Sequence, residues 1–218
     1  MKQGCLFDLD GTLIDSIVDL GMATNAVLQN HGLPVYDIKE YHMMVGNGVK
    51  KLMERALGQD HLDILDKCLN EFYEYYGEHC LDHTQPYPGI VDMIVNLKKQ
   101  GVKLAVVTNK PHHLAIKIVE HLFPDTFTCI YGQQECYPVK PHPEVVFLTL
   151  MELKLTSKEC YFIGDSRVDI ETGDNASMET IGVEWGLRGY KELFEAQADY
   201  IVKTPQEIIE VLNNENRH

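Results

Sequence analysis

Short apolar runs of strand length alternate with amphipathic stretches of helix length along most of this chain, and that alternation restricts its fold more than any other feature. Gly4-Cys5-Leu6, Lys103-Leu104-Ala105-Val106-Val107 and Cys160-Tyr161-Phe162-Ile163 are the clearest strands, with weaker ones at Cys129-Ile130-Tyr131, 180–184 and 200–202. Helices are predicted over 90–100, capped by Gly101, and over about 112–121 and 144–153. A closing helix starts at Thr204-Pro205-Gln206-Glu207, a capping box with proline at the first helical position. Strands alternating with helices imply an α/β fold: a parallel sheet covered on both faces, with ligands at the carboxyl ends of its strands.

One stretch breaks the alternation. Ile17, Leu20, Val27 and Leu28 mark a helix over 17–30, ended by Gly32, and 37–45, 49–57 and 62–79 then read as three more helices. Leu62, Leu65, Leu69, Phe72, Tyr73 and Tyr76 form the apolar stripe of the last, and the Tyr73, Tyr75 and Tyr76 cluster reads as packing inside it. No strand signal intervenes. Residues 16–85 are therefore expected to form a helical cap domain, inserted as a lid into a core of residues 1–15 and 86–218. Pro86-Tyr87-Pro88-Gly89 marks the return to that core.

The polar residues of the core concentrate where strands end. Asp8 and Asp10, in Phe7-Asp8-Leu9-Asp10-Gly11-Thr12, lie two positions apart, so an extended backbone turns both carboxylates to one face. Thr108 follows Val107, Lys140 precedes Pro141, and Asp165 follows Ile163-Gly164. Taken singly, each has a structural use: Asp and Gly form turns, Thr108-Asn109 could cap a helix, and Lys140 could be a solvated loop lysine. Taken together at one sheet edge, three carboxylates, an ammonium and a hydroxyl suit a divalent cation facing a phosphoryl group. Hard oxygen ligands favour magnesium over zinc. His79 and His83 have helical spacing but no evident third ligand, and His112-His113 read as the opening of a helix.

Charge narrows the partners. With 33 acidic against 19 basic residues and a net charge of -14, the chain repels nucleic acid and anionic membrane surfaces. A small phosphorylated metabolite can still be held by a local cation. The six cysteines show no CxxC pair, so they read as reduced, buried thiols. No run approaches the ~18 apolar residues of a membrane span, and no charged-then-apolar segment precedes the first strand, so the expected location is the cytoplasm. The expected state is monomer or homodimer.

Five segments carry a resemblance: Asp8-Leu9-Asp10-Gly11-Thr12-Leu13, Val45-Gly46-Asn47-Gly48, Ala105-Val106-Val107-Thr108-Asn109-Lys110-Pro111, Lys140-Pro141-His142-Pro143, and Gly164-Asp165-Ser166-Arg167-Val168-Asp169-Ile170. In these the chain resembles the haloacid dehalogenase superfamily of phosphohydrolases and, within it, the phosphoglycolate phosphatases. The resemblance implies a Rossmann-like core with a helical cap and Mg2+ as cofactor. It further implies Asp8 as nucleophile, Asp10 as general acid and base, and Lys140 as a fixed positive charge for Asp8 and the phosphoryl group. Magnesium would be held by Asp8, the Asp10 carbonyl and Asp165, with Ser166 and Asp169 supporting that shell. Gly11, Thr108 and Asn109 would receive phosphate oxygens. Asn47 and Lys50 from the cap, and Arg188 from the core, are candidates for the far end of the substrate.

The presence of Asp10 argues against a dehalogenase, which has no alkoxide to protonate. Leu20, standing where a phosphomutase should have histidine, argues against that activity. A receiver-type phospho-acceptor switch would carry no large helical insert. Pyrophosphate, nucleotide and sugar-phosphate substrates stay open, because the motifs read only the phosphoryl group.

Overall fold

The computed structural model describes residues 2–215. β1 (Gly4–Phe7) is buried throughout and ends in a tight turn, where the Leu9 carbonyl accepts hydrogen bonds from the amides of Thr12, Leu13 and Ile14. Two-residue β2 (Ile14–Asp15) leads into α1 (Ile17–Asn30), a 3-10 helix (Ile38–Met43), α2 (Val49–Leu57), a second 3-10 helix (Gln59–Ile64) and α3 (Leu65–His79). The chain returns through β3 (Gln85–Pro86), and the alternation begins: α4 (Ile90–Lys99), β4 (Lys103–Pro111), α5 (His112–Leu122), β5 (Cys129–Gln133), α6 (Glu144–Leu153) and β6 (Cys160–Gly164). It closes with α7 (Arg167–Asn175), β7 (Glu179–Val183), α8 (Gly189–Glu195), β8 (Tyr200–Val202) and α9 (Pro205–Glu215).

The main sheet has six parallel strands in the order β5-β4-β1-β6-β7-β8. Its register positions the site. Phe7 lies opposite Val106 on one side and Ile163 on the other, so the residues that follow leave the three central strands at one level. Alternate strand residues serve opposite faces. Phe7, Val106, Tyr161 and Ile163 pack with Met93, Leu97, Ile118 and Ile208, while Leu6, Ala105, Val107 and Phe162 pack with Val146, Leu150 and Leu153 of α6. Each such aliphatic or aromatic side chain contributes about 1.5 to 3 kcal/mol on burial, which is why the strands read as continuous apolar runs.

The helical segment buries Leu20, Val27 and Leu28 of α1, Leu52 and Met53 of α2, Phe72 and Tyr76 of α3, and Tyr41, continuous with the apolar cluster on one face of the sheet. Its two connections to the core are fastened to each other. β2 pairs antiparallel with β3, Ile14 opposite Pro86 and Asp15 opposite Gln85. The carboxylate of Asp19, only 2% exposed, accepts from the amides of His83 and Thr84 and from the Thr84 hydroxyl, and its Oδ1 lies 2.9 Å from His83 Nδ1.

Several expectations need correction. The helix expected over 37–45 is a 3-10 turn, closed by a capping box between Asp37 and Glu40. The helix expected over 62–79 becomes α-helical only at Leu65, because His61 holds a non-helical φ of -125° in the preceding 3-10 turn. β4 continues through Thr108-Asn109-Lys110 instead of stopping at Val107. β2, β3, α7 and α8 were not anticipated. Of the six free cysteines, Cys136 is exposed. No helix among the described residues is long and apolar enough to cross a membrane.

Candidate active site

The level ends of β1, β4 and β6 bring most of the sequence-derived residues together. Asp8, Asp10, Thr108, Asn109, Lys110 and Lys140 line one inner cavity, roofed by Leu20, Val45, Val49 and Leu52 of the helical segment. That cavity is about 40 Å³, room for little more than a water molecule or two.

Lys140 binds the acidic cluster from below. Its Nζ donates to Asp169 Oδ1 at 2.7 Å and lies 2.8 Å from Asp8 Oδ1. The Asp8 contact is a largely buried ion pair. Burial would depress the Lys140 ammonium, but the charges of Asp169 and Asp8 outweigh it and raise the group above its ordinary value. Asn109 fixes the lysine's backbone. Its side chain accepts from the Lys140 amide at 2.9 Å and donates to the Lys140 carbonyl at 3.2 Å. The Asn109 side-chain amide is thus already engaged, and the Thr108 hydroxyl accepts from the Lys110 amide at 3.3 Å.

Asp165 follows β6, and its Oδ2 accepts from the Leu187 amide at 2.7 Å. Two glycines make room for it. A Cβ on Gly11, whose φ is +87°, would lie 2.6 Å from Asp165 Oδ2, and one on Gly186 would lie 2.3 Å from Asp165 Cβ. Asp169 accepts from the Ser166 hydroxyl and amide, the capping box that opens α7, as well as from Lys140.

Single oxygens of Asp8, Asp165 and Asp169 all lie within 4.8 Å of one another. Burial pushes the Asp8 carboxyl up to about 6, opposed by Lys140 and reinforced by Asp169. Burial, then the charges of Asp169 and Asp8, drive Asp165 well above the carboxylate range. With all four ionised, Asp8, Asp10, Asp165 and Asp169 exceed the two ammonium groups, Lys110 and Lys140, by two negative charges in a largely buried site, which is why burial raises Asp8 and Asp165 in the absence of a cation. A hard divalent cation fits this donor set: all-oxygen ligands, three carboxylates with oxygens within 4.8 Å of one another, and an excess charge of matching size when they are ionised. The carboxylate of Asp10 points elsewhere, so any Asp10 contribution to that cation would come through its backbone.

Lys110 was missed in the sequence. Its Nζ donates to Asp10 Oδ1 at 2.9 Å, Asp10 Oδ2 at 3.1 Å and the Tyr76 hydroxyl at 2.7 Å, and Ser16 Oγ donates to Asp10 Oδ1 at 2.5 Å. Tyr76 therefore does more than stack on Phe72: it reaches from α3 to the residue that holds Asp10. The other candidates lie outside the inner cavity. Asn47 is exposed and accepts from Arg55 at 2.8 Å, and Lys50 is exposed. Arg188 donates to the carbonyls of His42 and Val45. His79 and His83 pair with Asp82 and Asp19, far from any shared ligand position.

Residues 5–183 match the family described as haloacid dehalogenase-like hydrolase. A phosphoglycolate phosphatase from Psychrobacter arcticus is 33% identical, covering 93% of this chain and 96% of its own. An N-acetylmuramic acid 6-phosphate phosphatase from Pseudomonas aeruginosa is also 33% identical, covering 97% of this chain and 95% of its own. A crystal structure of a protein from Lactobacillus delbrueckii subsp. bulgaricus superposes with a TM-score of 0.90 at 32% identity, covering 97% of this chain and 98% of that one.

Proposed function

The chain belongs to the haloacid dehalogenase-like hydrolases, and on that footing we propose that it is a Mg2+-dependent phosphatase that hydrolyses a small phosphate monoester through an aspartyl phosphate. The observation that carries this reading is the placement of Asp8, its Oδ1 2.8 Å from the Lys140 ammonium and a carboxylate oxygen within 4.8 Å of those of Asp165 and Asp169.

In the proposed reaction Asp8 attacks phosphorus and becomes phosphorylated as the ester P–O bond breaks and the alkoxide leaves; water then cleaves the acyl phosphate, so one difficult hydrolysis is split into two easier displacements. Lys140 and the Thr108 hydroxyl hold charge that develops on the phosphoryl oxygens. Asp10 hands a proton to the leaving alkoxide and then takes one from the attacking water, with Lys110 and Ser16 fixing its carboxylate. Asp8 and Asp165 would hold Mg2+, with Asp169 behind them. When bound, it lowers the repulsion between an anionic nucleophile and an anionic ester.

Residues 16–85 act in this reading as a cap domain. The apolar roof of Leu20, Val45, Val49 and Leu52 over so small a cavity supports it, since a substrate could enter only if the roof lifts and would be shielded from water when it closes. The paired β2 and β3 are the natural pivot.

The relatives put 2-phosphoglycolate first among substrates, and the N-acetylmuramic acid 6-phosphate phosphatase keeps sugar phosphates in contention. The test is a phosphate-release screen with and without a magnesium chelator, over 2-phosphoglycolate, pyrophosphate, sugar phosphates and nucleotides. Magnesium-dependent turnover of a small monoester supports the proposal; phosphate release that survives chelation contradicts it.

A further inference from the structure

Between the helical segment and the carboxyl edge of the sheet lies a second cavity of about 310 Å³, the lower end of the range for small-ligand sites. Arg55 from α2, Arg167 from the first turn of α7 and Arg188 from the loop before α8 line it. In a chain of net charge -14 this is a local reversal of sign.

Two of these arginines have only neutral partners. Arg55 donates to the Met44 carbonyl at 2.5 Å and to the Asn47 side-chain oxygen, and Arg188 donates to the carbonyls of His42 and Val45. Neither forms an ion pair among the described residues. Partial burial, then the charge of Arg188, hold the Arg55 guanidinium below its ordinary value, so the two groups repel each other. Arg167 differs: its guanidinium lies 3.8 Å from Glu195, and its backbone amide donates to Glu192, the one carboxylate lining the cavity. Glu54 offsets part of this repulsion at Arg55, and the charge of Arg188 acts on Asp165, but neither guanidinium has a carboxylate in direct contact, so a bound anion would give both one.

We propose that this cavity is an oxyanion-binding site, in which Arg55 and Arg167, with Arg188, hold a carboxylate or phosphoryl group by charge-assisted hydrogen bonds. Gly46 lines both this cavity and the inner one, so the two meet at the Gly46-Asn47-Gly48 turn. An ester whose leaving group ends in a second anion would reach both, an occupancy that rests on the phosphatase reading above. Free phosphate, the product of that reaction, presents the same chemistry.

The test compares wild type with Arg55→Gln and Arg167→Gln, neither of which touches the inner site. Michaelis constants are measured for 2-phosphoglycolate, which carries a distal carboxylate, and for glycerol 1-phosphate, which does not. A KM raised about tenfold for the first ester and unchanged for the second supports the site with the substrate's own carboxylate as occupant, tenfold being the weight of one such hydrogen bond. Loss of a noncompetitive component of phosphate inhibition, with both KM values unchanged, supports it with free phosphate as occupant. Unchanged KM values and unchanged phosphate inhibition overturn it. If wild type hydrolyses neither of these esters, calorimetric titration with inorganic phosphate decides: weaker binding in Arg55→Gln supports the site, and equal binding overturns it, whereas the phosphatase reading itself fails only if no ester of the release screen is turned over.

Discussion

Lys110 Nζ lies 2.9 Å from Asp10 Oδ1, joining two residues a hundred positions apart, and the same ammonium donates to the Tyr76 hydroxyl of the helical segment at 2.7 Å. An ammonium this close keeps the Asp10 carboxylate oriented and couples its position to the seating of α3. Burial alone would lower the Lys110 group, yet Asp10 and Tyr76 raise it, so it stays charged across the working pH range.

Removing that charge should disable proton transfer. Lys110→Met is expected to lower kcat on an alkyl phosphate by about a hundredfold or more, in the range of general acid–base effects. The loss should be much smaller on p-nitrophenyl phosphate, whose leaving group needs no proton. Tyr76→Phe should cost only a few-fold, because Lys110 keeps both bonds to Asp10. Steady-state kinetics on the two esters check this, and equal losses on both would remove Asp10 and Lys110 from the proton-transfer step.

How much of this site could be read in the sequence depends on where each partner sits. Asp8, Thr108 and Asp165 were legible because each follows an apolar run, and parallel strands bring such ends to one level. Lys110 gave no such signal. It lies beyond the expected end of β4, and its partners come from another strand and from α3. Asn47 and Lys50 were expected to face the site, but the turn brings Gly46 and Gly48 to the inner cavity and leaves Asn47 and Lys50 outside it. β2 and β3 have two residues each, too few for a period to register. α7 is a polar stretch, Arg-Val-Asp-Ile-Glu-Thr-Gly-Asp-Asn, whose helical start depends on the Ser166–Asp169 capping box more than on an apolar face.

Space around Asp165 gives a sharper test of the cation site. Gly186→Ala would put a methyl 2.3 Å from Asp165 Cβ and 2.4 Å from the Gly11 carbonyl, so Asp165 must shift. The expected result is a 10- to 100-fold loss of magnesium affinity, the usual weight of groups that position metal ligands, in this case about 2 kcal/mol. Titration of activity against magnesium measures it.

Stability should depend on pH in a way that reports the same cluster. In metal-free protein the Asp8 carboxyl sits at about 6 against an unfolded value near 3.8, and its side chain is 13% exposed. A raised carboxyl favours the folded state while protonated. That contribution is complete below the unfolded value and is lost as pH climbs through about 6, costing about 3 kcal/mol from Asp8. Magnesium binds the ionised form, so its effect on Tm should be larger at pH 7.5 than at pH 5. Thermal melts with magnesium and with chelator check this, and Asp8→Asn should flatten the difference.

The Asp19 contacts make a separate prediction about the pivot. Asp19→Ala leaves the amides of His83 and Thr84 and the Thr84 hydroxyl without their shared acceptor. A loss of about 3 kcal/mol is expected in denaturant unfolding, as for a buried charged acceptor removed from several donors. A loss under about 0.5 kcal/mol, the ordinary scatter of surface substitutions, would show that the two connections do not depend on it.

The account as a whole stands on Asp8 forming a covalent bond to phosphorus. Mass spectrometry of enzyme quenched in acid during turnover of 2-phosphoglycolate, or of whichever ester proves fastest, tests this most directly. The expected result is one added phosphoryl group on the peptide carrying Asp8, absent from Asp8→Asn, whose turnover is also abolished. Phosphate release by Asp8→Asn at the wild-type rate, with no labelled peptide in either protein, would contradict it.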